Sequence, residues 1–255
     1  MRTRRWIAIA VLALLACGPA TAPMADEPQR LVVGVEKIDY LPVYALVDGE
    51  YRGFARELLD AFAADRGYDL RYRPLPVARL YASFFRGSVD LKFPDNPRWR
   101  TRQRRGHDLQ YSAPLVSYID GSLVPPEDKG QPPEAIDRLG TVTGFTPWAW
   151  LDAIRAGGVT LSENSSFTAL LRQALSGRVD AAYASVAVAN YQLEHVLDRP
   201  GGLVFDPGLP HTQGQYHLST IRHPEVLAEL DAWLGDNRDR VEGLKARHGV
   251  EPGVR

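Results

Sequence analysis

The sequence predicts an α/β fold made of two similar units, and three observations carry that expectation. Short apolar or β-branched runs alternate with stretches of helical period. The order strand, helix, strand, helix, strand occurs once between residues 31 and 93 and again between residues 140 and 183. One four-residue pattern marks the same place in both copies: Gly87-Ser88-Val89-Asp90 and Gly177-Arg178-Val179-Asp180 each separate the second helix from the last strand.

In the first unit, Leu31 to Val35 reads as a buried strand, and Phe54 to Asp65 sets Phe54, Leu58, Leu59 and Phe62 on one helical face. Gly67 ends that helix, and Asp69 to Arg73 forms the next strand. Val77 to Arg86 follows with an apolar stripe of Leu80, Phe84 and Phe85, then Gly87 and a strand from Val89 to Phe93. The second unit has strands at Gly140 to Thr143, Val159 to Leu161 and Val179 to Tyr183, with helices at Pro147 to Ala156 and Phe167 to Ser176. Both glycines of the repeated pattern fall where a helix closes in a left-handed residue. After Pro200-Gly201-Gly202 come short strands near Leu203 to Phe205 and Tyr216 to Thr220, then helices Pro224 to Asn237 and Arg238 to His248, expected to return to the first unit. The former carries Val226, Leu227, Leu230, Trp233 and Leu234 on one face. Strands alternating with helices call for a parallel sheet covered on both faces, with ligands gathering at the carboxyl ends of the strands. A single α/β domain is the alternative architecture.

A chain of 255 residues with 45% hydrophobic side chains can bury the core of two lobes. Arg2, Arg4 and Arg5 precede an apolar run from Trp6 to Ala16 and then small residues and Pro around Gly18 to Ala22, the layout of a secretory signal, assigned to residues 1–25. That run is about half the ~20 residues a spanning helix needs. The only cysteine, Cys17, follows Leu14-Leu15-Ala16 as in the lipobox of bacterial lipoproteins, so cleavage before Cys17 with lipid attachment is the alternative to ordinary cleavage; an internal disulfide is excluded. Removing the signal leaves 27 basic residues against 31 acidic ones, a balance that argues against nucleic acid as a partner. His211, His217 and His223 recur every six residues, which is not a tight metal-ligand spacing, and read as surface residues. No cofactor is implied, since neither a Gly-rich phosphate loop nor a nucleophile–base pair is recognisable.

Four segments, in their order and spacing, resemble the bacterial extracellular solute-binding proteins of the polar amino acid type. They are Leu31 to Val35 with Tyr40-Leu41-Pro42-Val43-Tyr44 and Arg52 to Leu59; Gly87 to Leu91 with Tyr111 to Leu115; Val142 to Thr146 with Gly177 to Tyr183; and Leu227 to Leu234 through Gly243 to Gly249. The resemblance implies a type II periplasmic-binding-protein fold, a Venus flytrap of two α/β lobes joined by two crossovers. Lobe one would comprise residues 28–118 and 212–255, and lobe two residues 119–211.

The same resemblance implies the site. Aromatic side chains covering the ligand map to Tyr40 and Phe54, with Tyr44 nearby; the alternative for Phe54 is ordinary helix core. After the first Gly-x-Val-Asp strand, the family's loop of donors and its carboxylate-gripping arginine fall on Phe93-Pro94-Asp95-Asn96-Pro97-Arg98-Trp99-Arg100, with Arg102, Arg104 and Arg105 following. A guanidinium suits a carboxylate because it offers paired planar donors. Counting without gaps selects Arg102, and Arg98 and Arg100 are alternatives; the rest of the run is a solvated basic loop. In lobe two, Thr143, Gly144, Phe145 and Thr146 face the cleft, and Thr146 can cap the helix begun by Pro147 and leave its amides for an anion. The chain departs from the family where an acid normally holds the ligand's ammonium: that place falls on Ser185. Asp95, or Glu36, could substitute.

The function so implied is capture of a small polar solute, an amino acid or a related acid or zwitterion, for the membrane permease of an ABC importer. The protein would act as a periplasmic monomer, held to the membrane only if cleavage occurs before Cys17 and lipid is attached there. The alternatives are a ligand sensor reporting to a membrane receptor and a dehydratase-like enzyme using Asp95 or Glu36 as general acid.

Overall fold

A computed structural model describes residues 27–254, so the expected export segment and Cys17 lie outside the described residues. The chain runs β1 (Gln29–Glu36), the hairpin β2 (Ala45–Val47) and β3 (Glu50–Arg52), α1 (Phe54–Arg66), β4 (Tyr68–Leu75), α2 (Val77–Phe85), β5 (Leu91–Asp95), β6 (Gln110–Tyr111) and β7 (Val116–Val124). There follow β8 (Arg138–Val142), α3 (Leu151–Arg155), β9 (Thr160–Asn164), α4 (Phe167–Leu175), β10 (Ala181–Ser185) and α5 (Val186–His195). The chain then continues through β11 (Val204–Phe205), β12 (Thr212–Thr220), α6 (Pro224–Asp236) and α7 (Arg238–His248).

One curled sheet has the order β4-β1-β5-β12-β7-β10-β8-β9. Its flanks are parallel: β1 pairs with β4 and β5, and β8 pairs with β9 and β10. Its middle is antiparallel, because β12 pairs with both β5 and β7, and β7 pairs with β10. The long strands β7 and β12 therefore stitch two parallel half-sheets together.

The two parallel units repeat in packing as well as in letters. Gly87 and Gly177 both adopt left-handed backbone after α2 and α4, with φ 72 and 69. The aspartates that follow accept backbone N–H groups of the neighbouring strand, Asp90 from Val32 (2.8 Å) and Asp180 from Arg138 (2.7 Å). These contacts fix the start of β5 and β10, which begin two residues later than the sequence pattern suggests. Each unit also has one strand glycine over which its second helix closes. A Cβ on Gly34 would stand 2.6 Å from Leu80, and one on Gly140 would stand 2.6 Å from Leu170.

The core follows the apolar faces. Phe54, Leu58, Leu59 and Phe62 of α1 are fully buried, as are Leu170 and Leu171 of α4. The C-terminal helices return to α1: the Trp233 indole donates to Asp65 (2.8 Å), Arg240 pairs with the same carboxylate (2.9 Å), and Phe62 meets Trp233 edge-on.

The expected helix at Pro147 to Ala156 is a correction. Residues Trp148–Trp150 form a 3-10 turn and only Leu151–Arg155 is α-helical. Trp150 is buried, with its indole N–H on Ser122 Oγ at 2.9 Å, and seating it draws the turn tight. Strand β7, helix α5 and the β2–β3 hairpin were not anticipated as elements.

Candidate functional site

The carboxyl ends of β1, β5, β8 and β10 converge between the two halves, where an aromatic cluster joins them. From one half come Tyr40, in the turn after β1, and Tyr216 of β12, both buried, with hydroxyls 3.1 Å apart. Tyr40 stacks on Tyr44 at 5.1 Å. From the other half Phe167, at the start of α4, meets the Tyr40 ring edge-on at 5.7 Å, and Phe145 packs on Phe167 at 6.2 Å. The Tyr40 hydroxyl also stands beside Ser185, itself buried at the end of β10. Tyr118 of β7 stacks on Tyr216 at 4.3 Å, an approach that Gly214 permits, since a Cβ there would lie 2.4 Å from the Tyr118 hydroxyl.

Within this cluster lies Asp120, midway along β7. It is the register partner of Ser185 on one side and Thr212 on the other. Its Oδ1 is sealed from solvent and has no hydrogen-bond partner among the described residues. Its charge bears on the hydroxyls of Tyr40, Tyr118, Tyr183 and Tyr216, all held above the ordinary phenol value chiefly by burial. Burial alone, with no cation to oppose it, pushes the Asp120 carboxyl up to about 7.

A second buried carboxylate, Asp95 at the end of β5, is placed very differently. Oδ1 accepts the Asn96 N–H (2.8 Å) and the Arg104 guanidinium, Oδ2 accepts Ser219 Oγ (2.6 Å), and the buried Lys92 ammonium lies 3.4 Å away. Lys92 in turn donates to Pro94 O (2.6 Å) and stands 4.3 Å over the Tyr81 ring. Glu36 completes the cluster: its Oε2 accepts the Tyr44 hydroxyl at 2.9 Å, and Lys92 opposes the upward push that burial gives its carboxyl. Two acids and two bases thus pair inside the first half, with Arg104 Nε alone of the cluster left unbonded.

Several sequence-predicted residues take positions other than those expected. Arg104, not Arg98, Arg100 or Arg102, is the buried arginine of the run, and it is bound by Asp95 and the Tyr111 hydroxyl. Arg98, Arg100, Arg102 and Arg105 are exposed; Arg100 lies 4.8 Å over the Tyr81 ring, and the Arg98 charge reaches Tyr118. The count failed because the chain after β5 folds through successive turns, with Arg100 in left-handed backbone at φ 46. Asn96 is spent on the loop, donating to Gln215 O (2.9 Å) and accepting the Arg98 N–H (2.8 Å). Phe93 and Phe54 are fully buried; Phe54 packs in the core with its edge to His248. Thr143, Gly144 and Thr146 are exposed, and Phe145 is half-buried against the aromatic cluster. Thr146 caps nothing: its carbonyl accepts the Trp148 N–H (2.9 Å), and the element it was to cap is a 3-10 turn. His211, His217 and His223 are half-buried rather than exposed, and sit apart, the first two on Leu209 O and Ser112 O and the third between Asp90 and Glu225. Sequence reasoning missed Asp120, Tyr118, Tyr183, Phe167 and Tyr216. The available signal was Asp120 itself, the lone charge in the run Val116 to Val124.

Two parallel α/β units joined by two long antiparallel strands, with a site at the strand ends between them, define the type II periplasmic-binding-protein fold. Solved structures agree. The chain is similar to an ancestral arginine-binding protein bound to arginine (18% identity, TM-score 0.64, covering 87% of this chain and 99% of that one). It is similar to substrate-binding domain 2 of GlnP from Lactococcus lactis in an open conformation (16% identity, TM-score 0.64, 91% and 98%). It is also similar to an ancestral cationic amino acid solute-binding protein (19% identity, TM-score 0.68, 86% and 95%), a protein also described as a precursor of cyclohexadienyl dehydratase. No protein-family model matches the chain, and no curated protein matches its sequence.

Proposed function

We propose that the chain is an extracytoplasmic solute-binding protein whose two halves, residues 28–118 with 212–255 and residues 119–211, close as lobes on a small polar solute. The observation that carries this reading is the meeting of Tyr40 and Tyr216 with Phe167 and Ser185 across the halves, at strand ends, with Asp120 beneath. Aromatic walls exclude water and shape a pocket, while a few polar groups fix the ligand's orientation. Contacts to both halves give a ligand the differential affinity that favours closure. Likeness to amino acid binders supports an amino acid or a related small molecule as ligand, delivered to the permease of an ABC importer. Export follows from residues 1–25, with Cys17 as the anchor point if cleavage occurs before it. No described helix is long and apolar enough to cross a membrane. Both acids considered for a dehydratase, Asp95 and Glu36, are engaged inside the first half.

A thermal-shift screen of amino acids, polyamines, small carboxylates and cyclic acids tests the reading, because a ligand that binds only the folded state raises the melting temperature by mass action. A saturable shift with one chemical class is expected. Turnover of a cyclic acid in the same screen would replace binding by catalysis.

A further inference from the structure

We infer that the group this site recognises is an ammonium or other organic cation, and that its counter-charge is Asp120 on the crossover strand rather than a residue at the end of β10. The inference rests on the solute-binding reading and names its ligand class.

Three observations lead to it. The first is positional. In the two parallel units Asp95 and Ser185 are equivalent, each eight places after the glycine of the repeated pattern. The acid stands in the first unit, where it is consumed by Arg104, Lys92 and Ser219, and is absent from the second. Directly beside Ser185, however, the antiparallel register sets Asp120. A carboxylate has in effect been moved sideways by one strand, about 5 Å.

The second observation is the absence of a protein partner. The deeply buried acids of the described chain are all bonded: Asp95 as above, Glu36 to Tyr44, and Asp206 to the N–H groups of Gly130 and Gly208 at 2.6 and 2.8 Å. Asp120 is half-buried as a residue, yet its inner oxygen, Oδ1, is sealed from solvent and unbonded, which is true of no oxygen of those three. Buried polar groups are nearly always paired, and an unpaired charge costs more than an unpaired dipole. A position that holds such a group between the two halves of the sheet is furnished for a cation that arrives from outside.

The third is the surrounding chemistry. Tyr40, Tyr118, Tyr183 and Tyr216 all lie within reach of the Asp120 charge, and Tyr40, Tyr118 and Tyr216 pack on one another. Tyrosine faces attract cations, most strongly where water is excluded. The buried guanidinium of Arg104 is already neutralised by Asp95, so a ligand's anionic group would have to use exposed Arg98, whose charge reaches Tyr118.

The test uses the exported protein, wild type and Asp120→Asn, in calorimetric titrations with the twenty amino acids, putrescine, spermidine, choline and a set of hydroxy acids and dicarboxylates. Every ligand found should carry an ammonium. The hydroxy acid made by replacing that ammonium with hydroxyl should bind at least about 100-fold more weakly, as should the original ligand to Asp120→Asn, since an unmatched buried charge costs several kcal/mol. A cooperative thermal transition in the variant establishes that it folds. Hydroxy-acid binding within about threefold of the amine, or undiminished binding by Asp120→Asn, would overturn the cation assignment while leaving solute binding in place. No binding by any compound of the panel would overturn both.

Discussion

Asp95 and Asp120 are aspartates of adjoining parts of one sheet, and their surroundings treat them in opposite ways. Asp95 has two cations, a hydroxyl and a backbone amide. Asp120 has an inner oxygen with no hydrogen-bond partner among the described residues and no cation acting on it; its own charge reaches four tyrosines. Satisfied charges of the first kind hold a structure in one arrangement, whereas an unsatisfied one weakens the free protein and awaits a partner. The difference separates a group that belongs to the scaffold from one that belongs to the ligand, although burial by itself would class them together.

Mutation can break this comparison from either side. The largest effect is expected from Asp95→Ala, which strands Lys92 and Arg104 and should cost about 3–5 kcal/mol in urea unfolding. A loss under about 1 kcal/mol would show that the cluster does not hold the first half together. Ser219→Ala removes one charge-assisted bond to Asp95 and should cost about 2 kcal/mol by the same measurement. Asp120→Asn should act in the reverse direction, stabilising the free protein by about 1–2 kcal/mol at pH 8 because a buried charge is removed while a polar group remains.

The sign of its pH dependence follows from a carboxyl raised from 3.8 to about 7 on folding. Between those values the native state holds a proton that the unfolded state has lost. Wild-type stability from this group is therefore full below about pH 4 and falls as pH rises through about 7. The groups on which the Asp120 charge acts are Tyr40, Tyr118, Tyr183 and Tyr216, whose upward shifts keep them out of that window; the Arg98 charge reaches Tyr118, and His211 precedes Thr212, the register partner of Asp120. Subtracting the wild-type curve from that of Asp120→Asn removes their contribution. The advantage of the variant should grow from pH 5 to pH 8, and a flat difference would mean that Asp120 is not the titrating group. The smallest effect belongs to Tyr40→Phe, which takes one hydroxyl from the Tyr40–Tyr216 contact and should cost about 1 kcal/mol in thermal unfolding.

Much of the scaffold could be read from the chain because its determinants are local. Gly87 and Gly177, and the aspartates that follow them, set the helix ends and strand starts of both units within a few residues. The helix expected after Pro147 failed because a tertiary contact, Trp150 on Ser122, decides the backbone there. The site was less legible. Tyr40 lies in the aromatic cluster, but a residue count cannot place arginines on a segment that doubles back, and the acid beside Ser185 is not downstream of Val179-Asp180. It lies instead on a neighbouring strand far earlier in the sequence, a relation that only antiparallel pairing creates.

Strand β7 passes from one half of the sheet to the other, pairing with β12 through Val116 to Asp120 and with β10 from Asp120 to Leu123. A rotation displaces atoms in proportion to their distance from its axis, so a residue at the junction of two swinging bodies travels least. Under the proposed closure Asp120 would be such a residue, whereas Phe145 and Phe167 belong to the half that would move against Tyr40. An arriving cation would meet its counter-charge already in position and acquire its walls afterwards, so capture would proceed in two kinetic steps, a fast docking whose rate depends on ionic strength and a slower enclosure whose rate does not.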